Sequence, residues 1–313
     1  MPCNLSIAPL YAPAAAALAL ACALVGSTAG AQESAPCREL ERKLDLIKAD
    51  MVSLQLNSML FAAADAGCED FSRRLLATGA SLAARDRLGA MPLAHAARAG
   101  QRAVVELFLA KGAQIDERDL SGSTALYRAA ESERPATVAV LLGKGADPNL
   151  AGQSGVTPLA AAAFKGNDRI VEQLLSHGAD PSVVDATGKA AITYAAARGF
   201  ADIVRRLLDA GVDAKQRYGH GLTALMWAAG HEDEVGAQAG KDVVGLLLDR
   251  GAEIDAADDR GRSALMTAAE LGHAEAIEML LDRGADRMLR DKNGKTALDL
   301  AANEIVRRQL ASQ

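Results

Sequence analysis

The chain has 313 residues, half of them apolar but only 3% aromatic, and a formal net charge of −6. Without a basic excess or a long block of like charges, it lacks the electrostatic footprint of a nucleic-acid binder. So few rings exclude a large aromatic core, and the many small side chains suit helices that approach closely.

Residues 1–31 contain no Asp, Glu, Lys or Arg. An apolar block from Ala12 to Val25 is followed by Ala29-Gly30-Ala31 before Gln32. This is the pattern of a secretory signal peptide cleaved after Ala31, although its start lacks the usual Lys or Arg. The block is short for a bilayer span, whereas the whole uncharged stretch is long enough for a retained anchor. Acylation of Cys22 is a third outcome. Cleavage predicts a periplasmic or secreted protein, and only the other two outcomes tie the chain to a membrane. Residues 32–52 then predict an amphipathic capping helix on Leu40, Leu44, Ile47 and Met51.

Cys3 and Cys22 fall in the leader, which leaves Cys37 and Cys68. Two cysteines near one end of an exported chain predict a disulfide. Neither belongs to a Cys-x-x-Cys pair, so zinc or thioredoxin-like chemistry has no support. One continuous helix over 37–66 would hold the cysteines roughly 45 Å apart, too far to bond. A break near Met51 to Ser53 would fold it into a hairpin and bring them together.

From residue 53 onward the chain repeats. Gly89, Gly122, Gly155, Gly188 and Gly221 each open a segment ending in Ala-Ala and recur every 33 residues. Gly261 follows after 40 and Gly294 after 33 again. A second series, Gly79, Gly112, Gly145, Gly178, Gly211, Gly251 and Gly284, closes Leu-rich runs in the same register. Two markers that agree to the residue establish a repeat architecture.

Within a unit, Thr124, Thr157, Thr223 and Ser263 stand at a helix N-cap, and Pro92 and Pro158 at the first turn. Leu93, Leu126, Leu159, Ile192, Leu225 and Leu265 are expected to face inward, with the Ala-Ala pairs three residues later as the close helix contact. Gly100, Gly166, Gly199 and Gly272 turn the chain into a second helix with apolar spacing i, i+3, i+4. The Gly79 to Gly284 series supplies a left-handed stop. Pairs such as Asp119/Gly122 and Asp185/Gly188 read as tight turns between units.

The stretches Gly-Val-Thr-Pro-Leu (155–159), Leu-Leu-Gly-Lys-Gly-Ala-Asp-Pro-Asn (141–149) and Leu-Leu-Ser-His-Gly-Ala-Asp-Pro (174–181) closely resemble the ankyrin repeat. The resemblance covers about residues 53–313. It implies an all-α solenoid of helix-turn-helix units with projecting β-hairpins or turns, in which no unit can bury its apolar face alone. Six full units are expected, at 86–118, 119–151, 152–184, 185–217, 218–257 and 258–290. A degenerate first unit spans 53–85, and residues 291–313 form a cap in which Arg307, Arg308 and Gln309 replace an apolar outer face.

The search for chemistry is brief. There is no His-Glu-x-x-His, Gly-x-Ser-x-Gly or phosphate loop. His95, His177, His220, His231 and His273 fall at different points of different units, so no catalytic or metal cluster is expected. The chain reads as a non-enzyme without cofactor, metal or small-molecule substrate. It is expected to be a monomeric scaffold for a protein partner, with an accessory subunit of an exported enzyme or a structural spacer as alternatives. The seven extra residues of the 40-residue unit lie between Ala229 and Asp242, an acidic loop that touches the partner, offers Glu232, Asp233 and Glu234 as oxygen ligands to a cation, or is solvated decoration.

The resemblance also implies a concave groove lined by residues beside each Ala-Ala pair. The contact candidates there are Arg98, Glu131, Phe164, Lys165, Tyr194, Arg198, Trp227, His231, Glu232 and Glu270. Tyr194 and Trp227, one repeat apart, read either as a partner hot spot or as packing between units.

Overall fold

The computed structural model describes residues 34–47, 53–231 and 236–311. The expected leader, most of the expected break before Ser53, and Glu232, Asp233 and Glu234 of the insertion lie outside them.

Helix α1 (Ala35–Ile47) precedes eight helix pairs. These are α2 (Ser53–Ala66) with α3 (Glu69–Thr78), α4 (Pro92–Ala99) with α5 (Arg102–Ala110), α6 (Ala125–Glu131) with α7 (Pro135–Gly143), and α8 (Pro158–Lys165) with α9 (Asp168–Ser176). Then follow α10 (Ala191–Ala197) with α11 (Ala201–Asp209), α12 (Ala224–Ala229) with α13 (Ala237–Asp249), α14 (Ala264–Leu271) with α15 (Ala274–Asp282), and the short α16 (Ala297–Leu300) with α17 (Glu304–Ala311). First helices stack on one another from α2 to α16, and second helices from α3 to α17. The fold is an all-α solenoid. Among the described residues there is no β-strand, only an isolated antiparallel bridge between Arg217 and Thr223. The segments between units are therefore hydrogen-bonded turns rather than β-hairpins.

Local signals start and stop the helices. The hydroxyls of Thr124, Thr157, Thr223 and Ser263 accept the backbone N–H three residues on. Each such cap is worth about 0.5–2 kcal/mol over Ala. Pro92 and Pro158 sit in the first turn, where an amide N–H would have no helical partner. The seven glycines from Gly79 to Gly284 all have positive φ, between 84° and 111°, which ends each second helix at little steric cost.

The core is a ladder of small and branched residues. The Ala-Ala pairs from Ala63-Ala64 to Ala268-Ala269 are fully buried, and so, to within 2%, are Leu93, Leu126, Leu159, Ile192, Leu225 and Leu265. Alanine at the contact lets neighbouring first helices close up, and the Leu/Ile row fills the space between pairs. At one end α1 lies against α2 with Leu44 buried, and Cys37 is disulfide-bonded to Cys68 with a Cα–Cα distance of 5.4 Å. At the other, Val306 and Leu310 are buried while Arg307 and Arg308 face solvent.

The 40-residue unit departs from its neighbours in a defined way. Helix α13 has 13 residues, whereas α11 and α15 have 9 each. Part of the insertion is thus an extra helical turn at the start of α13, and not loop alone.

Candidate functional site

The turns between units are built on aspartate. Asp86, Asp119, Asp185, Asp258 and Asp291 open five units, and Oδ1 of each accepts backbone N–H groups two and four residues on, at 2.7–3.1 Å. Where the opening residue is Gly152 or Tyr218 no carboxylate is available, and Ser154 and His220 take left-handed φ of 64° and 60° to complete the turn.

In three of the five the second carboxylate oxygen reaches the following helix, whereas that of Asp258 accepts from Arg260 in the turn and that of Asp291 has no hydrogen-bond partner among the described residues. Asp86 Oδ2 meets His95 Nε2 at 3.0 Å, and Asp119 Oδ2 accepts from Arg128 Nη2 at 2.6 Å and Nε at 3.1 Å. Asp185 Oδ2 accepts the Tyr194 hydroxyl. In all three units the partner lies nine residues after the aspartate. The two units without aspartate carry Ala161 and Trp227 at that place, neither of which needs a carboxylate for charge. The Trp227 Nε1–H is buried and has no acceptor.

This lock changes the reading of Tyr194. Its hydroxyl belongs to the turn of its own unit, so only the ring face is left for a partner. Burial pushes the phenol well above its ordinary value, and the Asp185 carboxylate adds to the effect. Burial alone would raise Asp185, but the hydrogen bonds from Tyr194, Thr187 and the Lys189 and Thr187 amides outweigh it and hold it below the ordinary range.

Around Phe164 the rings and cations meet. Phe164 is 38% exposed, and the Tyr194 ring stands edge-on to it with centroids 5.8 Å apart. The Arg198 guanidinium lies 5.1 Å over the Phe164 ring. Lys189 Nζ lies 5.5 Å from the Tyr194 ring and 4.9 Å from the Trp227 ring, so the two aromatics share one cation. Because Ala160 and Ala161 are small, a notch of about 280 Å³ opens between Tyr127 and Tyr194, with Lys165 and Glu131 also lining it. Toward the N-terminal units, the turn tips carry exposed Leu88 and Leu120.

Other candidates fare differently. Arg98 is exposed but paired with Asp65 at 3.1 Å, Glu131 binds Arg128 at 3.2 Å, and Glu270 pairs with Arg262. His231 is not a surface contact: it is 7% exposed and stacks on His273 with centroids 3.9 Å apart. A Cβ on Gly240 would fall 2.1 Å from the His231 ring, so the extra turn of α13 closes over the imidazole at a residue with no side chain. The sequence puts the two histidines at different points of different units, and the stacking of α14 on α12 brings them together. Glu232 lies outside the described residues. Among those residues no three His, Cys, Asp or Glu are grouped to hold a metal ion, and no helix is long and apolar enough to cross a membrane.

At the first unit boundary His95 sits between two carboxylates, with Nδ1 3.0 Å from Asp65 and Nε2 3.0 Å from Asp86. Burial alone would lower the imidazole, but the two acids outweigh it and hold His95 above its ordinary value. Sequence reasoning missed Lys189 and Tyr127 as groove residues. The signal was present for Lys189, which directly follows a turn glycine and faces the same tip as Trp227.

Comparison with known proteins agrees with this geometry. A family model described as ankyrin repeats (3 copies) matches residues 59–152, 117–185, 159–237 and 235–311. The crystal structure of the human ASB11 ankyrin repeat domain is similar at 28% identity and a TM-score of 0.62, covering 71% of this chain and 97% of that one. No curated protein matches the sequence. With matches running from residue 59 to 311, the chain belongs to the ankyrin-repeat family.

Proposed function

We propose that this chain is an exported, non-catalytic scaffold that holds a protein partner through the groove centred on Phe164 and through the turn tips. Ankyrin repeats generally mediate binding to protein partners, and the fold is typically non-catalytic. The observation that carries the reading for this chain is the exposed Phe164 ring among Tyr194, Arg198 and the Lys189–Trp227 pair. Hot spots combine aromatic rings and Arg in this way, whereas the stack itself does not require an apolar side chain at position 164. Export is supported by the uncharged residues 1–31 and by the paired Cys37 and Cys68.

Two measurements test this. Proteins captured by wild type are compared with those captured by a Phe164→Ala, Trp227→Ala variant whose helicity and melting are shown to be intact. Loss of the captured partner is expected, and an unchanged set refutes the groove. N-terminal sequencing of the mature protein should begin at Gln32, and recovery from the cytosol with residues 1–31 attached refutes export.

A further inference from the structure

Resting on the groove reading and narrowing it, we infer that the groove centre recognises an acidic segment of the partner, in which one branched or aromatic apolar side chain is flanked by carboxylates.

The apolar part follows from a local deletion in the repeat pattern. Three other units fill the space between turn and helix with an aspartate and its partner nine residues on. The unit that opens at Gly152 has neither, since Gly152 carries no carboxylate and Ala161 stands where His95, Arg128 and Tyr194 stand elsewhere. Beside Gly152 the space is taken by Ser123 and Tyr127 of the preceding unit, but over Ala161 a notch of about 280 Å³ stays open, floored by Ala160 and Ala161 and walled by Tyr127, Phe164 and Tyr194. Small-molecule sites run from roughly 300 to 1,000 Å³. The notch therefore suits a single inserted side chain, and its walls are rings.

The acidic part follows from charge. Among the described residues no carboxylate pairs with Lys165, which is exposed on the rim, or with Lys189, which lies on the Tyr194 and Trp227 rings. Acids along the same stretch are already engaged. Arg128 holds Asp119 and Glu131, and Asp185 accepts from Tyr194 and two turn amides. A chain of net charge −6 thus presents, among its described residues, two cations without a carboxylate partner beside the exposed Phe164 ring. A carboxylate approaching Lys189 is drawn to a cation already partly stripped of water by the two rings, where its attraction is stronger than in bulk solvent. A basic segment would meet repulsion at the same point, so the patch selects by sign as well as by shape.

The test is selection from an unbiased displayed library of short peptides against the full chain, in parallel with a Lys165→Glu, Lys189→Glu variant. Both side chains are outside the core, and circular dichroism verifies the fold of each bait. The wild-type pool is expected to be enriched in Asp and Glu around one aromatic or branched residue, and the variant pool to lose or reverse that bias. Ala161→Leu, which fills the notch, is expected to weaken the selected peptides roughly tenfold or more, the loss of one hot-spot contact. Pools of equal charge from both baits, or a neutral or basic wild-type pool, overturn the inference. If such a pool still loses binding in Phe164→Ala, the groove stands and only the acidic preference falls. Binding that survives Phe164→Ala with Trp227→Ala removes the groove reading itself.

Discussion

Replacing His95 by Gln perturbs one side chain that ties the first helix pair to the second. The imidazole is mostly buried, 14% exposed, with a carboxylate 3.0 Å from each nitrogen. As an imidazolium it donates to both. As a neutral ring it donates to one and turns a lone pair toward the other. Hydrogen bonds to charged groups are worth about 1.5–3 kcal/mol each. The Asp65 side is 39% exposed and screened by solvent, so the joint effect is discounted to about 2 kcal/mol. Because His95 is raised in the folded chain, this stabilisation is complete below the unfolded imidazole value near 6.5 and is lost as pH rises through the folded value. Asp65 and Asp86 are lowered, so their share is present above the ordinary carboxylate range and lost only in acid. In a stack stabilised by nearest-neighbour interfaces the loss falls on α2 first. The assay is amide exchange of Ser53–Ala66 corrected for intrinsic rate: opening should rise about thirtyfold in the variant at pH 6, and the difference should shrink at high pH. Equal protection in wild type and His95→Gln, or a gap that widens with pH, would refute the argument.

Four further outcomes are expected. Non-reducing digestion with mass spectrometry should yield a linked Cys37–Cys68 peptide, and Cys37→Ser should cost the N-terminal hairpin about 3–4 kcal/mol by loop entropy over a separation of 31 residues. Gly240→Val should force His231 off His273 at about 1–3 kcal/mol, read as loss of the ring-current shifts of the stacked imidazoles in NMR spectra. Tyr194→Phe should lower stability by about 1–2 kcal/mol in urea melts through the orphaned Asp185 oxygen while leaving partner affinity unchanged, because only the ring faces the groove. Leu126→Ala, at a fully buried site, should cost about 2–5 kcal/mol and uncouple the melting of the units on either side, whereas Leu298→Ala at the partly exposed terminal unit should not.

The helix pairs are legible in the sequence because their signals are local. A Thr cap, a proline one residue later and a glycine at the stop act within a turn or two, so Thr157, Pro158 and Gly166 announce α8 without knowledge of what it packs against. The Ala-Ala ladder is legible for a related reason, since its 33-residue period is the contact itself. The groove is harder, because its residues are chosen by neighbours that only folding brings close. Tyr194 reads as a free aromatic until the turn folds back and Asp185 takes its hydroxyl. Part of the pattern behind this is written in the sequence, as Asp86, Asp119 and Asp185 go with His95, Arg128 and Tyr194 nine places on, and Gly152 and Tyr218 go with Ala161 and Trp227. The histidine stack leaves no such trace. His231 and His273 lie 42 residues apart, and only the stacking of one unit on the next brings them together, with Gly240 of α13 against the His231 ring.

That longer unit has a bearing on how the chain finds its order. A row of 33-residue blocks built on one spacing presents a similar Ala-Ala and Leu/Ile surface at every step. The 40-residue block breaks that translational symmetry. Only it carries Gly240 over an imidazole, and only the block beyond it offers His273, whose Nδ1 also donates to the Ala229 carbonyl at 2.9 Å. A slip by one block would leave both rings without their mates and the longer α13 against the wrong surface. The insertion thus marks one position along the stack with a contact that its neighbours, as described, do not repeat.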